Sequence, residues 1–201
     1  KSGLSAKKKK AFRPTTTVNH PSTKKAPRVF KIEETEVTKE NQVWASDLTY
    51  IPTAIGFCYL VVVMDIFNRE IIGWNVADSM DAENTSNALI EAIQSTPGSP
   101  KNLTFHSDQG IQYCSSSVRN KLALLKIEQS MSRKGNCYDN AFVESFFHSL
   151  KTELEIKRYK SLQEAKNHIF EYINWYNRDR FHSSLGYRSP VEYLNEHRHA
   201  A

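Results

Sequence analysis

Cysteine is scarce: Cys58, Cys114 and Cys137 are the three in 201 residues. Their number is odd and no two form a Cys-x-x-Cys pair, so neither a disulfide framework nor a cysteine zinc site is supported, and reduced thiols in a cytoplasmic setting are expected. No apolar run approaches the roughly 20 residues that a membrane-spanning helix needs. The most apolar stretch, residues 59–67, is of a length that suits a buried strand. The basic N-terminal segment has no apolar segment behind it, so no secretory signal is read. His-Glu-x-x-His, Gly-x-Ser-x-Gly and a Gly-rich phosphate loop are all missing, which leaves the chemistries those motifs carry without support. Acids, finally, are missing from residues 1–31 altogether.

That last absence divides the chain electrically. Ten of the 27 Lys and Arg lie in residues 1–31, leaving 17 against all 22 acids in residues 32–201, so a net charge of +5 is +10 on the first segment and −5 on the rest. A cationic tail binds phosphates by releasing counterions and reads no sequence in doing so. A merely solubilising extension is the plainer alternative. Lys7, Lys8, Lys9, Lys10 and Arg13 are the tail's candidate DNA contacts. With Pro14, Pro21, Pro27 and little apolar periodicity, residues 1–42 are expected to form an extended arm and a polar linker.

From residue 43 the pattern becomes that of a folded core, expected to run to residue 180. Residues 43–53, 57–67 and 70–77 read as three strands with short connections, an antiparallel meander. Residues 81–95 switch to helical spacing, with Asp81 placed to cap the start. A short buried strand at 103–106, a helix at 116–125, a strand at 127–131, a helix from Asp139 or Asn140 to about Glu155 and a helix at 161–178 follow. Residues 181–201 are short and polar and read as a tail. Strands in a meander followed by crossover helices predict an α/β fold with a mixed five-stranded sheet flanked by helices, the ribonuclease H-like arrangement. In that arrangement the first and fourth strands are neighbours.

Three acids then gain a common meaning. Asp47 interrupts the apolar strand Trp44-Ala-Ser-Asp47-Leu-Thr-Tyr50. Asp108 stands where a strand runs out, in His106-Ser-Asp108-Gln-Gly110. Glu144 lies early in a helix, with 35 residues between it and Asp108. Carboxylates held together repel one another, and hard divalent cations relieve that repulsion. Two such ions roughly 4 Å apart can activate a nucleophile and stabilise a leaving oxygen on phosphorus. Each acid alone has an ordinary explanation: a buried charge with a local partner, turn chemistry before Gly110, a helix-surface acid. Asp65 and Asp139 compete for the role, but Asp139 reads better as a helix cap and Asp65 as a partner to Arg69. His106, at a strand end, reads as structural. On the Glu144 helix, Asn140, His148 and Lys151 share its face and can approach a phosphate backbone. Arg133 and Lys134 add positive charge in the preceding loop, and Tyr138 can stack on an unpaired base.

The motifs around these residues resemble a family. Trp44-Ala-Ser-Asp47-Leu-Thr-Tyr-Ile51, Val63-Met-Asp-Ile-Phe-Asn-Arg69, His106-Ser-Asp108-Gln-Gly110, Ser132-Arg-Lys-Gly-Asn-Cys-Tyr-Asp-Asn-Ala141, Glu144-Ser-Phe-Phe and Leu185-Gly-Tyr-Arg-Ser-Pro190 are similar to the catalytic part of DDE transposases of bacterial insertion sequences. These are relatives of retroviral integrase, and the match is to the group made from two overlapping reading frames. The resemblance covers roughly residues 12–195. It implies that Asp47, Asp108 and Glu144 are catalytic and bind two magnesium or manganese ions. It also implies that Lys151 contacts the transposon end, and that the enzyme cuts element ends and joins the 3′-hydroxyl to target DNA as a homo-oligomer. A cytoplasmic, nucleoid-associated place in a bacterium follows, with no membrane partner. Related transposases carry helix-turn-helix regions upstream, so recognition of the element end is expected to be incomplete in these residues. A ribonuclease H-like nuclease or junction resolvase, and a non-catalytic DNA-binding regulator, are the alternatives.

Overall fold

Alternation along the first strand decides the layering. In β1 (Val43–Thr53), Val43, Ala45 and Ile51 bury into one core, while Trp44 and Leu48 bury into another on the opposite face. In β2 (Gly56–Asp65), Leu60, Val62 and Met64 join the first core and Val61 and Val63 the second. A sheet covered on both faces needs apolar residues at successive positions, which is why this strand reads as an unbroken hydrophobic run. A computed structural model provides the coordinates, and the structure describes residues 25–98, 102–133, 140–155 and 158–200.

β3 (Ile71–Ala77) completes the antiparallel meander, and α1 (Ala82–Ser95) carries the chain across to β4 (Thr104–Ser107), which pairs parallel with β1. After α2 (Ser116–Leu124), β5 (Glu128–Met131) pairs parallel with β4. The sheet order is β3-β2-β1-β4-β5. α1 and α2 supply the second core, and α3 (Ala141–Glu153) and α4 (Leu162–Arg178) the first. This is the mixed, ribonuclease H-like sheet that the sequence predicts, with the first strand beside the fourth. Among the described residues, no helix is long and apolar enough to cross a membrane.

One glycine is required by close approach. A Cβ at Gly73 would lie 2.3 Å from the Ala88 carbonyl oxygen and 2.6 Å from the Ala92 amide nitrogen, so α1 can lie against β3 only over a residue without a side chain.

Four expectations are corrected. Residues 25–42 are not a detached linker. Phe30 is 2% exposed, the Val29 and Phe30 amides both donate to Ser130 Oγ at 2.9 Å, and the Met131 amide donates to the Pro27 carbonyl. Phe30, with Ile32 and Val37 packed against the same core, thereby ties the segment to the sheet and covers part of the β5 edge that would otherwise stand open. Residues 1–24 lie outside the described residues. The segment 181–201 is not a plain tail either: a 3-10 turn (Ser183–Leu185) leads into α5 (Pro190–Ala200). Ser189 and Glu192 cap that helix reciprocally. The Ser189 amide donates to Glu192 Oε2 and the Glu192 amide to Ser189 Oγ, with Pro190 just inside. Its Tyr193 and His197 rings pack on Phe67.

The remaining two concern local hydrogen bonds. Asp81 and Asn140 precede α1 and α3 but neither side chain bonds the helix amides; Asp81 accepts from Ser79 Oγ instead. Asp139 lies outside the described residues. Asp65 accepts hydrogen bonds from the Asn41 and Phe67 amides, while the Arg69 guanidinium lies 3.3 Å from the Phe142 ring centre. Backbone amides in reach were the nearer partners for the buried carboxylate.

Candidate active site

The parallel pairing of β1 with β4 places Ser46 opposite Ser107. Asp47 follows on β1 and Asp108 is the first residue past β4, and neighbouring strands lie only about 4.8 Å apart. Two carboxylates distant in sequence are thus side by side at the end of β4. Asp47 Oδ1 accepts from the Leu48 amide at 2.8 Å, and Asp108 Oδ1 accepts from the Gly110 amide at 2.9 Å. The second of these bonds is the turn chemistry that a strand-end aspartate before glycine suggests, so Asp108 is locally fixed.

Asp47 is strongly perturbed. Burial, then the negative charge of Asp108, push its carboxyl up to about 8, and Glu144 adds a smaller push in the same direction. The Leu48 amide and the Lys151 ammonium pull the other way. Glu144 lies in the first turn of α3, is exposed, and has its carboxyl raised by partial burial. Asp47 therefore feels Glu144 across the gap between β1 and α3. Among the described residues, no three His, Cys, Asp or Glu side chains are gathered closely enough to hold one ion. Asp108 acts more strongly on the Asp47 carboxyl than Glu144 does, so the two aspartates lie closest in electrostatic terms.

Two residues expected to touch DNA are turned inward. Asn140 is buried and its Nδ2 donates to the Ser46 carbonyl at 3.4 Å, which ties the start of α3 to the strand position just before Asp47. Lys151 donates to Thr49 Oγ1 at 2.6 Å and lies 4.8 Å above the Tyr50 ring. Burial lowers its ammonium and Asp47 raises it. Thr49 is two residues beyond Asp47 on the same face of β1, so helical spacing from Glu144 brings Lys151 to the acids. His148 and Arg133 are exposed. Lys134, Tyr138, Lys7, Lys8, Lys9, Lys10 and Arg13 lie outside the described residues. His106 is a packing residue: its Nδ1 bonds Ser130 Oγ at 3.0 Å and its ring meets Phe30 edge-on.

Tyr113 escaped the sequence reading. It is fully buried, its hydroxyl lies 3.0 Å from Ser46 Oγ, and burial, Asp47 and Asp108 together hold it protonated far beyond the ordinary phenol range. It closes the site from the second core. Tyr113 follows Asp108 by only five positions, but a lone tyrosine between a turn and a helix carries no periodic signal.

The integrase core domain profile matches residues 37–137, and a second profile of the same description matches residues 125–190. The transposase for insertion sequence element IS904 of Lactococcus lactis subsp. lactis is 41% identical over 160 residues, 79% of this chain and 63% of that protein. An uncharacterized 31 kDa protein of insertion element IS600 from Shigella sonnei is 40% identical over 200 residues, 98% of this chain and 72% of that protein. The transposase InsF for insertion sequence IS3A of Escherichia coli is 42% identical over 158 residues, 78% of this chain and 54% of that one. The chain thus spans between about half and three quarters of these relatives' length.

Among solved structures, the catalytic core domain of BIV integrase superposes with a TM-score of 0.59 at 18% identity, covering 80% of this chain and 97% of that one. The HTLV-2 integrase catalytic core domain, described as dimeric and in complex with magnesium, gives 0.60 at 16% identity, covering 78% and 97%. A chain of the simian T-cell lymphotropic virus intasome gives 0.65 at 14%, covering 88% and 60%. At such identities the likeness is one of fold.

Proposed function

The chain belongs to the integrase core domain family, as insertion-sequence transposases do, and on that premise we propose that it cuts and rejoins DNA strands at the ends of an insertion sequence. The observation that carries this reading is the placement of Asp47 and Asp108 directly after a paired position of adjacent parallel strands, with Glu144 opposite. A carboxyl raised to about 8 beside a second carboxylate is a poor place for two bare negative charges and a good one for a divalent cation. All three donors are hard oxygens, which suits magnesium or manganese. Such ions, held by Asp47, Asp108 and Glu144, would supply Lewis-acid activation of the attacking oxygen and stabilisation of the leaving one.

The chain's own groups do the rest. Asn140 sets the start of α3 against β1 and so sets where Glu144 stands. Lys151 supplies a positive charge beside Asp47, favouring its ionised form. Exposed Arg133 and His148, with the basic residues of the N-terminal segment, face the phosphate backbone. The attacking group is a water in cleavage and a DNA 3′-hydroxyl in joining. The substrates are the element's ends and a target duplex, engaged by more than one copy of the chain in the cytoplasm, on nucleoid DNA.

A strand-cleavage and joining assay on labelled element ends with magnesium tests the reading. Asp108→Asn removes one charge at constant shape and is expected to abolish both products. Retained cleavage in that variant contradicts the assignment. Cleavage by the unaltered chain without any joined product would favour a nuclease instead.

A further inference from the structure

The segment from Arg180 to Tyr187, between α4 and the Ser189 cap of α5, has no role in the site described above. It borders a cavity of about 370 Å³ between α3 and the turn after α4. The cavity begins at Ser145, the residue directly after Glu144, and continues one helical turn on at Ser149. Its floor is polar but electrically balanced. Arg180 is paired with Glu153 at 2.7 Å and also reaches Ser149 Oγ. His182 stands edge-on to Tyr176 at 4.7 Å, and burial and then the Arg180 charge lower its imidazole to about 4, so it is neutral at ordinary pH. Its Nδ1 lies 3.5 Å from Arg180 Nη1. His182 Nε2 is buried with no hydrogen-bond partner among the described residues.

The rim is aromatic and exposed. Phe181 and Tyr187 both line the cavity and are 65% and 76% exposed. Tyr187 has φ +58°, next to Gly186 at φ +65°. A bulky residue rarely adopts that backbone, and here it does so without burying its ring. The turn is held by the Tyr187 amide donating to the His182 carbonyl and the His182 amide donating to the Arg188 carbonyl. Both rings thus stand open at the mouth of the cavity.

We propose that this cavity receives an unpaired nucleobase of the DNA strand that passes the acids. The balanced Arg180–Glu153 pair disfavours a bare phosphate there. Serine hydroxyls and stacking rings together match a base edge and a base face. The cavity volume lies within the range of roughly 300–1,000 Å³ usual for small-molecule sites. The proposal rests on the reading of the chain as a DNA strand-transfer enzyme and names where that enzyme holds the strand it acts on.

The test uses the whole 201-residue chain, without metal, and two probes: a single-stranded oligonucleotide carrying one 2-aminopurine, and a blunt duplex of the same sequence. Tyr187→Ala and Phe181→Ala alter exposed side chains, and circular dichroism with thermal melting checks the fold. Stacking contributes about 1–3 kcal/mol per base, so each variant is expected to bind the single strand roughly 5- to 100-fold more weakly and to lose the 2-aminopurine quenching. Duplex affinity is expected to change by less than about twofold, because a paired base offers no free face. Equal affinity of the variants and the unaltered chain for the single strand, or equal losses on both probes, overturns the proposal. No cleavage is read, so this failure is distinct from failure of the catalytic assignment, which Asp108→Asn tests.

Discussion

Burial and Asp108 push the Asp47 carboxyl up to about 8, against about 3.9 for an unfolded aspartate. A carboxyl raised on folding binds its proton more tightly in the folded state. In the metal-free protein its contribution to stability is therefore greatest below about pH 4, falls through the window from about 4 to 8, and levels off above it. Asp65, raised to about 7 by burial, acts in the same direction. We expect thermal melting of the metal-free chain to drop from pH 5 to pH 8, and Asp47→Asn to lose part of that drop while leaving the share due to Asp65. Magnesium should raise the melting temperature more at pH 8 than at pH 6, because the ion and the proton compete for the same oxygens. An equal rise at both values would mean that the ion does not meet Asp47. The adjacency of Asp47 and Asp108 was legible in the sequence because the predicted strand order sets the first strand beside the fourth, and the structure pairs Ser46 with Ser107 just before them. The inward use of Lys151 and Asn140 was not, since helical spacing gives a face and not the hydrogen bond made there.

At the level of elements, the first three strands could be read almost to their ends because two buried faces leave a dense apolar signature. α5 could not be read by periodicity, since eight of its eleven residues are exposed or only partly buried among those described, yet Ser189-Pro-Val-Glu192 is a capping signature in plain view. Ser189→Ala should lower stability by about 1 kcal/mol in urea unfolding, the usual cost of a lost N-cap. A change near zero would show that α5 adds nothing to the cooperative unit. Gly73 gives the sharper test. Alanine there meets backbone atoms of α1, which cannot rotate away, so Gly73→Ala should cost about 3 kcal/mol or more, the upper end of overpacking effects. Unchanged stability would require β3 and α1 to sit farther apart than the structure has them.

For the molecule as a whole, charge separation governs the approach to DNA. The folded part carries a net negative charge and holds its positive groups locally, whereas residues 1–31 are wholly basic. The packing of Phe30 against His106 shows where this segment stops being dispensable. A deletion should end at residue 24, removing seven Lys and Arg while keeping Pro27, Val29 and Phe30 on β5. That deletion is expected to weaken DNA binding and to flatten its dependence on salt, by up to about 0.9 in slope for each phosphate that the segment had neutralised. Identical slopes with and without residues 1–24 would assign phosphate binding to the folded part. Phe30 itself was not legible as core because the short apolar run Val29, Phe30 and Ile32 is set among charged residues and too brief to show a period, and only its contact with β5 and the core gives it a place.

The account rests on Asp47, Asp108 and Glu144 holding divalent cations together. Electron paramagnetic resonance of manganese, with the chain bound to a DNA end, counts the bound ions directly. We predict manganese bound to the unaltered chain and lost or greatly weakened in Asp47→Asn, Asp108→Asn and Glu144→Gln, with melting curves still cooperative in all three. Manganese binding unchanged across the three variants would contradict it.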